Sequence, residues 1–239
     1  MKSVLISDIH FMNRSKYNPL MNEYDGILLP LVNLQLAYDT AKKENCDNVL
    51  ILGDVIDKSN VSSYLAHKLI TFFKDVDIET IIILGNHDIS QVDKDFYSFI
   101  TLLPDINSNI RVISKTEFLT NDIVCVPYSE RKDIVTNEMI YDKILLTHIG
   151  ISECKINESK KIPADFSLQY LRRYVRVITG HYHYPQEVGN VLVVGSPWEI
   201  RKDEFEHSEK RIVVYDFDKL KYKSIPSIRN ICTKYYSVK

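Results

Sequence analysis

Cysteine is scarce and scattered. The four cysteines, Cys46, Cys125, Cys154 and Cys232, form no Cys-x-x-Cys pair, which excludes a zinc ribbon and a small disulfide-stapled scaffold and leaves reduced cytosolic thiols as the expectation. Long apolar runs are missing as well. No stretch reaches the roughly 18 residues of a membrane helix, and the N-terminus passes at once into the strand-like Ser3-Val-Leu-Ile-Ser7. Neither a membrane span nor a signal peptide is expected, so the protein reads as soluble and cytoplasmic, with no membrane partner. Nor is there an excess of charge of one sign. A net charge of −2 and a pI near 6.4 provide no global field for nucleic acid or membranes, so any basic patch must be local.

Internal repeats, low-complexity tracts and Pro/Gly/Ser-rich linkers are also absent. A chain of 239 residues with 45% hydrophobic composition can bury one substantial core. The expected organisation is one domain over residues 1–220 and a basic strand or tail over 221–239. That tail holds five Lys or Arg, three Tyr and no Asp or Glu. It is either a solvated terminal strand with a frayed end or a basic strip with aromatic surfaces for nucleic acid or docking.

What the chain does contain is a repeated grammar. Short β-branched runs at 3–7, 48–52, 79–84, 122–126, 143–147 and 175–179 alternate with segments of helical pattern, notably 30–44 and 61–75, which predicts a layered α/β fold. The last third changes character: runs at 191–194, 211–215 and 222–225 predict short antiparallel strands forming a second sheet packed on the first. After each of five strands stands a block of metal-binding residues: Asp8-Ile-His10, Gly53-Asp54-Val-Ile-Asp57, Gly85-Asn86-His87-Asp88, Thr147-His148 and Gly180-His181-Tyr-His183. Five of the seven histidines fall inside these blocks. Side chains at the carboxyl ends of neighbouring strands converge on one crevice, where α/β sheets bind their ligands. Taken singly each block is weak, since a histidine after a strand is commonly a satisfied, partly buried residue; the ordered set of five is not. His, Asp and Asn donors suit Mn²⁺, Fe²⁺ or Zn²⁺ better than Mg²⁺ or Ca²⁺. The connection after His10, residues 11–29, is long enough to contact a substrate.

In these five blocks the chain resembles the calcineurin-like metallophosphoesterases, whose signature is Asp-x-His, Gly-Asp-x-x-Asp, Gly-Asn-His-Asp/Glu, a lone His and Gly-His-x-His. The resemblance spans residues 4 to about 217. It implies a four-layer α/β/β/α sandwich of two facing mixed sheets, with two divalent ions at the strand ends, Mn foremost and Fe or Zn as alternatives. Carried over by position, it gives one ion to Asp8, His10 and His183, the other to Asn86, His148 and His181, and Asp54 to both. It further implies a metal-bridging hydroxide attacking phosphorus in line, with His87 as the general acid and Asp57 orienting the His87 ring. Asp88 is assigned to the turn rather than to the chemistry.

Three further segments are similar to the end of the nuclease domain in DNA-repair nucleases of the Mre11/SbcD type: residues 181–186, the Gly195-Ser-Pro197 stretch, and the strand opened by Glu209-Lys-Arg211. That likeness implies a DNA exonuclease, with DNA as substrate, an SbcC/Rad50-like ATPase as partner, and a homodimer formed through helices such as 61–75 and 92–103. The chain departs from the pattern in its length, since the residues after Phe217 are too few for a capping domain and a partner-binding segment. The alternative is a phosphodiesterase or phosphatase of the same fold acting on nucleotides or other small esters. A non-catalytic scaffold fits poorly, because all seven ligand positions and His87 are present.

Overall fold

The computed structural model describes residues 1–12, 25–90, 97–157, 160–161, 164–201, 204 and 209–228. Two six-stranded sheets face one another. The first runs β12 (Lys221–Pro226), β11 (Arg211–Asp216), β1 (Lys2–Ile6), β2 (Asn48–Leu52), β3 (Thr80–Ile83), β4 (Ile110–Ile113). The second runs β5 (Glu117–Thr120), β6 (Ile123–Val126), β7 (Ile144–Thr147), β8 (Arg176–Thr179), β10 (Val191–Val193), β9 (Gln186–Val188). Strands β1 to β4 are mutually parallel, as are β6, β7, β8 and β10, while β5, β9, β11 and β12 add antiparallel at the edges.

The central strands are apolar on both faces because both faces are covered. In β2, Val49 and Ile51 point into a core shared with α1 (Asp25–Lys43) and α2 (Ser63–Phe73), while Leu50 and Leu52 point into the layer between the sheets. That middle layer is filled from both sides, by Leu5, Ile81 and Ile83 of the first sheet and Cys125, Leu146, Ile178 and Leu192 of the second. On the far side, Val124, Leu145, Val177 and Val193 pack against Ile134, Phe166, Leu171 and Tyr174. These come from α3 (Asp133–Thr136), α4 (Leu168–Leu171) and the segments beside them. This is the expected α/β/β/α order of layers.

Two features differ from the sequence expectation. Of the C-terminal strands, only β10 belongs to the second sheet; β11 and β12 extend the first, with Leu5 opposite Val213. The alternating pattern reports a buried face and not which sheet supplies it, and β1 offered an unpaired edge. Helix α1 also begins five residues before Pro30, where the pattern placed its start. Pro30 cannot donate to the carbonyl of Gly26, and that carbonyl accepts the Met12 N–H instead, at 3.0 Å. The helix therefore keeps its proline without an unsatisfied acceptor, and the same bond anchors the chain just beyond the first ligand block.

Among the described residues, no helix is long and apolar enough to cross a membrane. Cys46, Cys125 and Cys154 are unpaired. Cys232 and the tail from 229 lie outside the described residues, as do 13–24 of the connection after His10 and 92–96 of the second helix considered for a dimer.

Candidate metal centre

Four of the five ligand blocks leave their strands through strained or glycine backbone. Asp8, His10, Asp54 and His181 all adopt left-handed φ, of 52°, 47°, 53° and 80°. Non-glycine residues avoid this region unless surrounding structure holds them there, and such strain gathers at functional sites. Here the holding structure is visible. The loops after β1 and β2 are laced together by Asp8 N–H to Gly53 O at 3.0 Å, His10 N–H to Asp54 O at 3.0 Å and Phe11 N–H to Val55 O at 2.9 Å. Three glycines make the approach possible. A Cβ on Gly53 would lie 2.3 Å from His148 Nδ1, one on Gly85 2.3 Å from Asp54 Oδ1, and one on Gly180 1.8 Å from Ser7 Oγ.

The result gathers β1, β2 and β3 of one sheet with β7 and β8 of the other around a single point. His10 Nε2 lies 3.6 Å from Asp54 Oδ2, 4.0 Å from Asp8 Oδ1 and 3.2 Å from His183 Nε2. His148 Nε2 lies 3.1 Å from Asp54 Oδ2. His181 Nδ1 and Asn86 Oδ1 are 2.9 Å apart. All seven residues assigned to metal are thus brought together. Two trios, Asp8/His10/His183 and Asp8/Asp54/His148, offer donor atoms within 4.8 Å of one another.

Whether this set suits divalent ions can be judged from its unspent atoms. His148 Nε2 is buried without a well-formed hydrogen bond, although its ring is fixed by a 2.7 Å bond from Nδ1 to Leu52 O. A carbonyl can only accept, so Nδ1 carries a proton and Nε2 is the nitrogen left to face a metal. The His10 and His183 Nε2 atoms face each other at 3.2 Å. Asp8 and Asp54 are buried beside them. Burial alone would raise the Asp54 carboxyl, yet His148, His10 and His87 hold it well below the ordinary carboxylate range. Burial likewise opposes charging His148, but Asp54 outweighs it and raises the ring to about 9. Burial and the neighbouring His148 drop His181 to about 4. Without metal, then, the centre recruits a proton to balance its carboxylates, and metal binding would displace that proton. The residues fit a pair of divalent ions.

His87 differs from expectation in one atom. Its Nδ1 donates to the main-chain carbonyl of Asp57 at 2.6 Å, not to the carboxylate. The Asp57 carboxylate faces His10 Nδ1 at 3.5 Å, the outer limit of hydrogen-bond range. The reason is local: Asp57 N–H is bonded to Phe11 O at 3.0 Å, which turns the carbonyl toward His87 and the side chain toward His10. Asp88, buried, ties two blocks together by accepting the Gly85 N–H at 2.9 Å and the Ile56 N–H at 3.1 Å. Burial and the nearby Asp54 raise its carboxyl to about 6.

Other participants escaped the motifs. The Ser7 hydroxyl lies 2.7 Å from Asp8 Oδ2, and the His181 N–H reaches both Asp8 oxygens at 3.1 Å. Tyr128 stacks on the His181 ring, with centroids 6.3 Å apart, and the Arg131 guanidinium caps Tyr128 at 4.2 Å. Glu204 accepts from or pairs with His183 Nδ1 at 2.7 Å and with Lys210 Nζ at 2.6 Å; Lys210 also donates to Ser196 Oγ at 2.7 Å. Gly195-Ser-Pro197 and Glu209-Lys-Arg211 were the only signals for the last group, and nothing in the sequence marked Glu204. A cleft of about 140 Å³ opens beside the centre, lined in part by Asn86, His87, Ile156, Tyr182 and Arg201.

The facing sheets and their seven-residue donor set define a binuclear metal-dependent hydrolase. More particularly, the chain belongs to the calcineurin-like phosphoesterase family, which it matches over residues 1–185. No functionally curated protein matches it significantly. Among solved structures it is similar to a dimetal phosphatase from Danio rerio, with 13% identity, a TM-score of 0.53, and coverage of 95% of this chain and 99% of that one. It is also similar to a 5'-nucleotidase precursor from Thermus thermophilus, with 17% identity, a TM-score of 0.47, and coverage of 95% of this chain and 54% of that one.

Proposed function

We propose that this metallophosphoesterase hydrolyses phosphodiester bonds in DNA, in the manner of the Mre11/SbcD-type nucleases. The observation that supports the reading is the meeting of Ser196 and Lys210 beneath His183. These residues belong to the two segments outside the ligand blocks on which that likeness rests, and they meet at the metal centre. Manganese is the expected metal, with iron or zinc as alternatives. The same reading carries an SbcC/Rad50-like ATPase partner, a homodimer and a cytoplasmic setting as expectations for experiment.

Asp8, His10 and His183 would hold one ion, Asn86, His148 and His181 the other, and Asp54 both. Two such ions supply Lewis acidity toward a phosphoryl oxygen and a water-derived nucleophile near neutral pH. The chain's own residues do the rest. Because His87 Nδ1 must keep its proton to bond the Asp57 carbonyl, the only proton the ring can hand over is on Nε2. As imidazolium, His87 can give that proton to the departing alkoxide from its place in the cleft wall, which is general acid catalysis. Asp57 steadies His10 and, through its carbonyl, the His87 ring. Arg201 adds a cationic side chain to the cleft wall for phosphate.

A second reading, hydrolysis of a small soluble phosphoester, is favoured by the modest volume of the cleft and its Ile156 and Tyr182 walls. One experiment separates the two. Manganese-loaded protein is offered linear duplex DNA, bis(p-nitrophenyl) phosphate and p-nitrophenyl phosphate. The nuclease reading expects digestion of DNA and the diester well ahead of the monoester. Hydrolysis of the small esters without any DNA cleavage, even with an ATPase partner supplied, would sink it.

A further inference from the structure

His183 is gripped from two directions. Its ring nitrogen Nδ1, facing away from the centre, meets Glu204 Oε1 at 2.7 Å, while its main-chain carbonyl accepts from Lys210 Nζ at 3.1 Å. Glu204 and Lys210 are themselves paired at 2.6 Å, both buried, the lysine side chain being 0% exposed. An ammonium has three donors, and here all three are placed, on Glu204 Oε2, Ser196 Oγ and His183 O. The Ser196 hydroxyl donates onward to Trp198 O at 2.9 Å, and Ile200 N–H reaches Glu204 Oε2 at 3.2 Å. A buried cation is tolerated only when paired and fully hydrogen-bonded. This one is both, and it joins a ligand's backbone to the carboxylate behind that ligand's ring.

The other histidines are backed differently. His148 leans on a neutral main-chain carbonyl, and His10 meets its carboxylate, Asp57, only at 3.5 Å. His183 therefore has the closest anionic partner of the three. A carboxylate behind a ligating imidazole fixes its tautomer and raises its basicity, and loss of such a partner typically weakens metal binding. Lys210, at 2.6 Å, holds the carboxylate in place, and the pair adds no net negative charge to a centre that already holds Asp8 and Asp54. Position in the fold adds a second link. Lys210 immediately precedes β11, which pairs with β1, the strand that leads into Asp8 and His10. The first and last ligands of one ion are thereby held by adjacent strands.

We propose that Glu204 and Lys210 are positioning residues for His183, an outer carboxylate and its buried counter-ion, and that together they set how tightly the ion at Asp8, His10 and His183 is held. The inference rests on the metal centre alone and stands whichever phosphoester is the substrate.

The test is titration of metal-free protein with Mn²⁺, followed by calorimetry and electron paramagnetic resonance, with no substrate present. Glu204→Gln should weaken one ion by roughly 10- to 100-fold and leave the other unchanged. At a manganese concentration between the two constants, anomalous scattering from crystals of this variant should place the single ion at Asn86, His148 and His181. Glu204→Asp, which keeps the charge and draws the carboxylate back by one methylene, should weaken the same ion by a smaller factor, and it serves if the glutamine variant does not fold. Unchanged binding of both ions, equal weakening of both, or loss of the ion at Asn86, His148 and His181 would each overturn the proposal. None of these outcomes depends on DNA cleavage, so failure here is distinct from failure of the nuclease reading.

Discussion

Adding one methyl group at Gly85 is the smallest change that reaches the shared carboxylate. A Cβ there would sit 2.3 Å from Asp54 Oδ1, 2.5 Å from Asp54 N and 3.0 Å from Asp54 Cγ. Ordinary contact starts near 3.4 Å, so something must move by roughly 1 Å, and overpacking of that kind costs about 1–3 kcal/mol. Asp54 cannot turn aside freely. Its Oδ1 accepts the His87 N–H at 2.9 Å, its Oδ2 faces His148 and His10, and its backbone already sits at a φ of 53°. At about 2–4 °C per kcal/mol for a chain of this size, the melting temperature of Gly85→Ala should fall by roughly 2–12 °C. Turnover should fall further, by about 100-fold, because a ligand displaced by about 1 Å misplaces the reacting groups. The assay pairs thermal unfolding with Mn²⁺-dependent hydrolysis of bis(p-nitrophenyl) phosphate. A Gly85→Ala protein that binds both ions and turns over within about threefold of the parent would refute the claim that Asp54 is fixed in place.

His87→Asn should lower turnover by about 100- to 10,000-fold while leaving both ions bound, as read by metal analysis; loss of a metal or unchanged activity would remove it from the acid role. Asp88 gives a pH signature in metal-free protein. Its folded pKa, about 6, is above the ordinary 3.8, so the folded state binds its proton more tightly and this group's contribution improves as pH falls through that window. The stability of the parent relative to Asp88→Asn should therefore rise on acidification, by up to about 1.4 kcal/mol per pH unit between those values; urea unfolding at pH 7 and pH 5 that shows the opposite trend contradicts the assignment. Trp198, fully buried, donates Nε1–H to Ile9 O at 2.7 Å. Trp198→Phe should orphan that carbonyl and cost about 1–3 kcal/mol in unfolding followed by circular dichroism.

The parts of the fold set by burial on both faces were legible in the sequence. The predicted runs at 48–52, 122–126 and 143–147 coincide with β2, β6 and β7 to within a residue, because strands covered on both sides must be continuously apolar. The edge strand β12 was read at 222–225, but β5 and β9 were not. β5 and β9 carry half-exposed, polar-leaning residues, and such segments look like loops until a neighbouring strand supplies the hydrogen bonds. The placement of β11 beside β1 was hidden for a related reason, since pairing partners far apart in sequence leave no periodic trace. At the site, the residues that converge could be read because each block follows a strand, in a fixed local spacing. Glu204 could not, because its importance comes from His183 and Lys210 and not from its sequence neighbours. The Asp57 contact shows the limit at the atomic scale: the right pair of residues was anticipated, but whether the carbonyl or the carboxylate meets His87 depends on the φ and ψ of one turn.

The central claim is that seven side chains from five strand ends form one two-ion centre. Anomalous diffraction from crystals grown with Mn²⁺ tests it directly. The account predicts two peaks, one contacted by Asp8, His10 and His183, the other by Asn86, His148 and His181, with the Asp54 carboxylate touching both. A single peak, or ions bound away from Asp54, would contradict it.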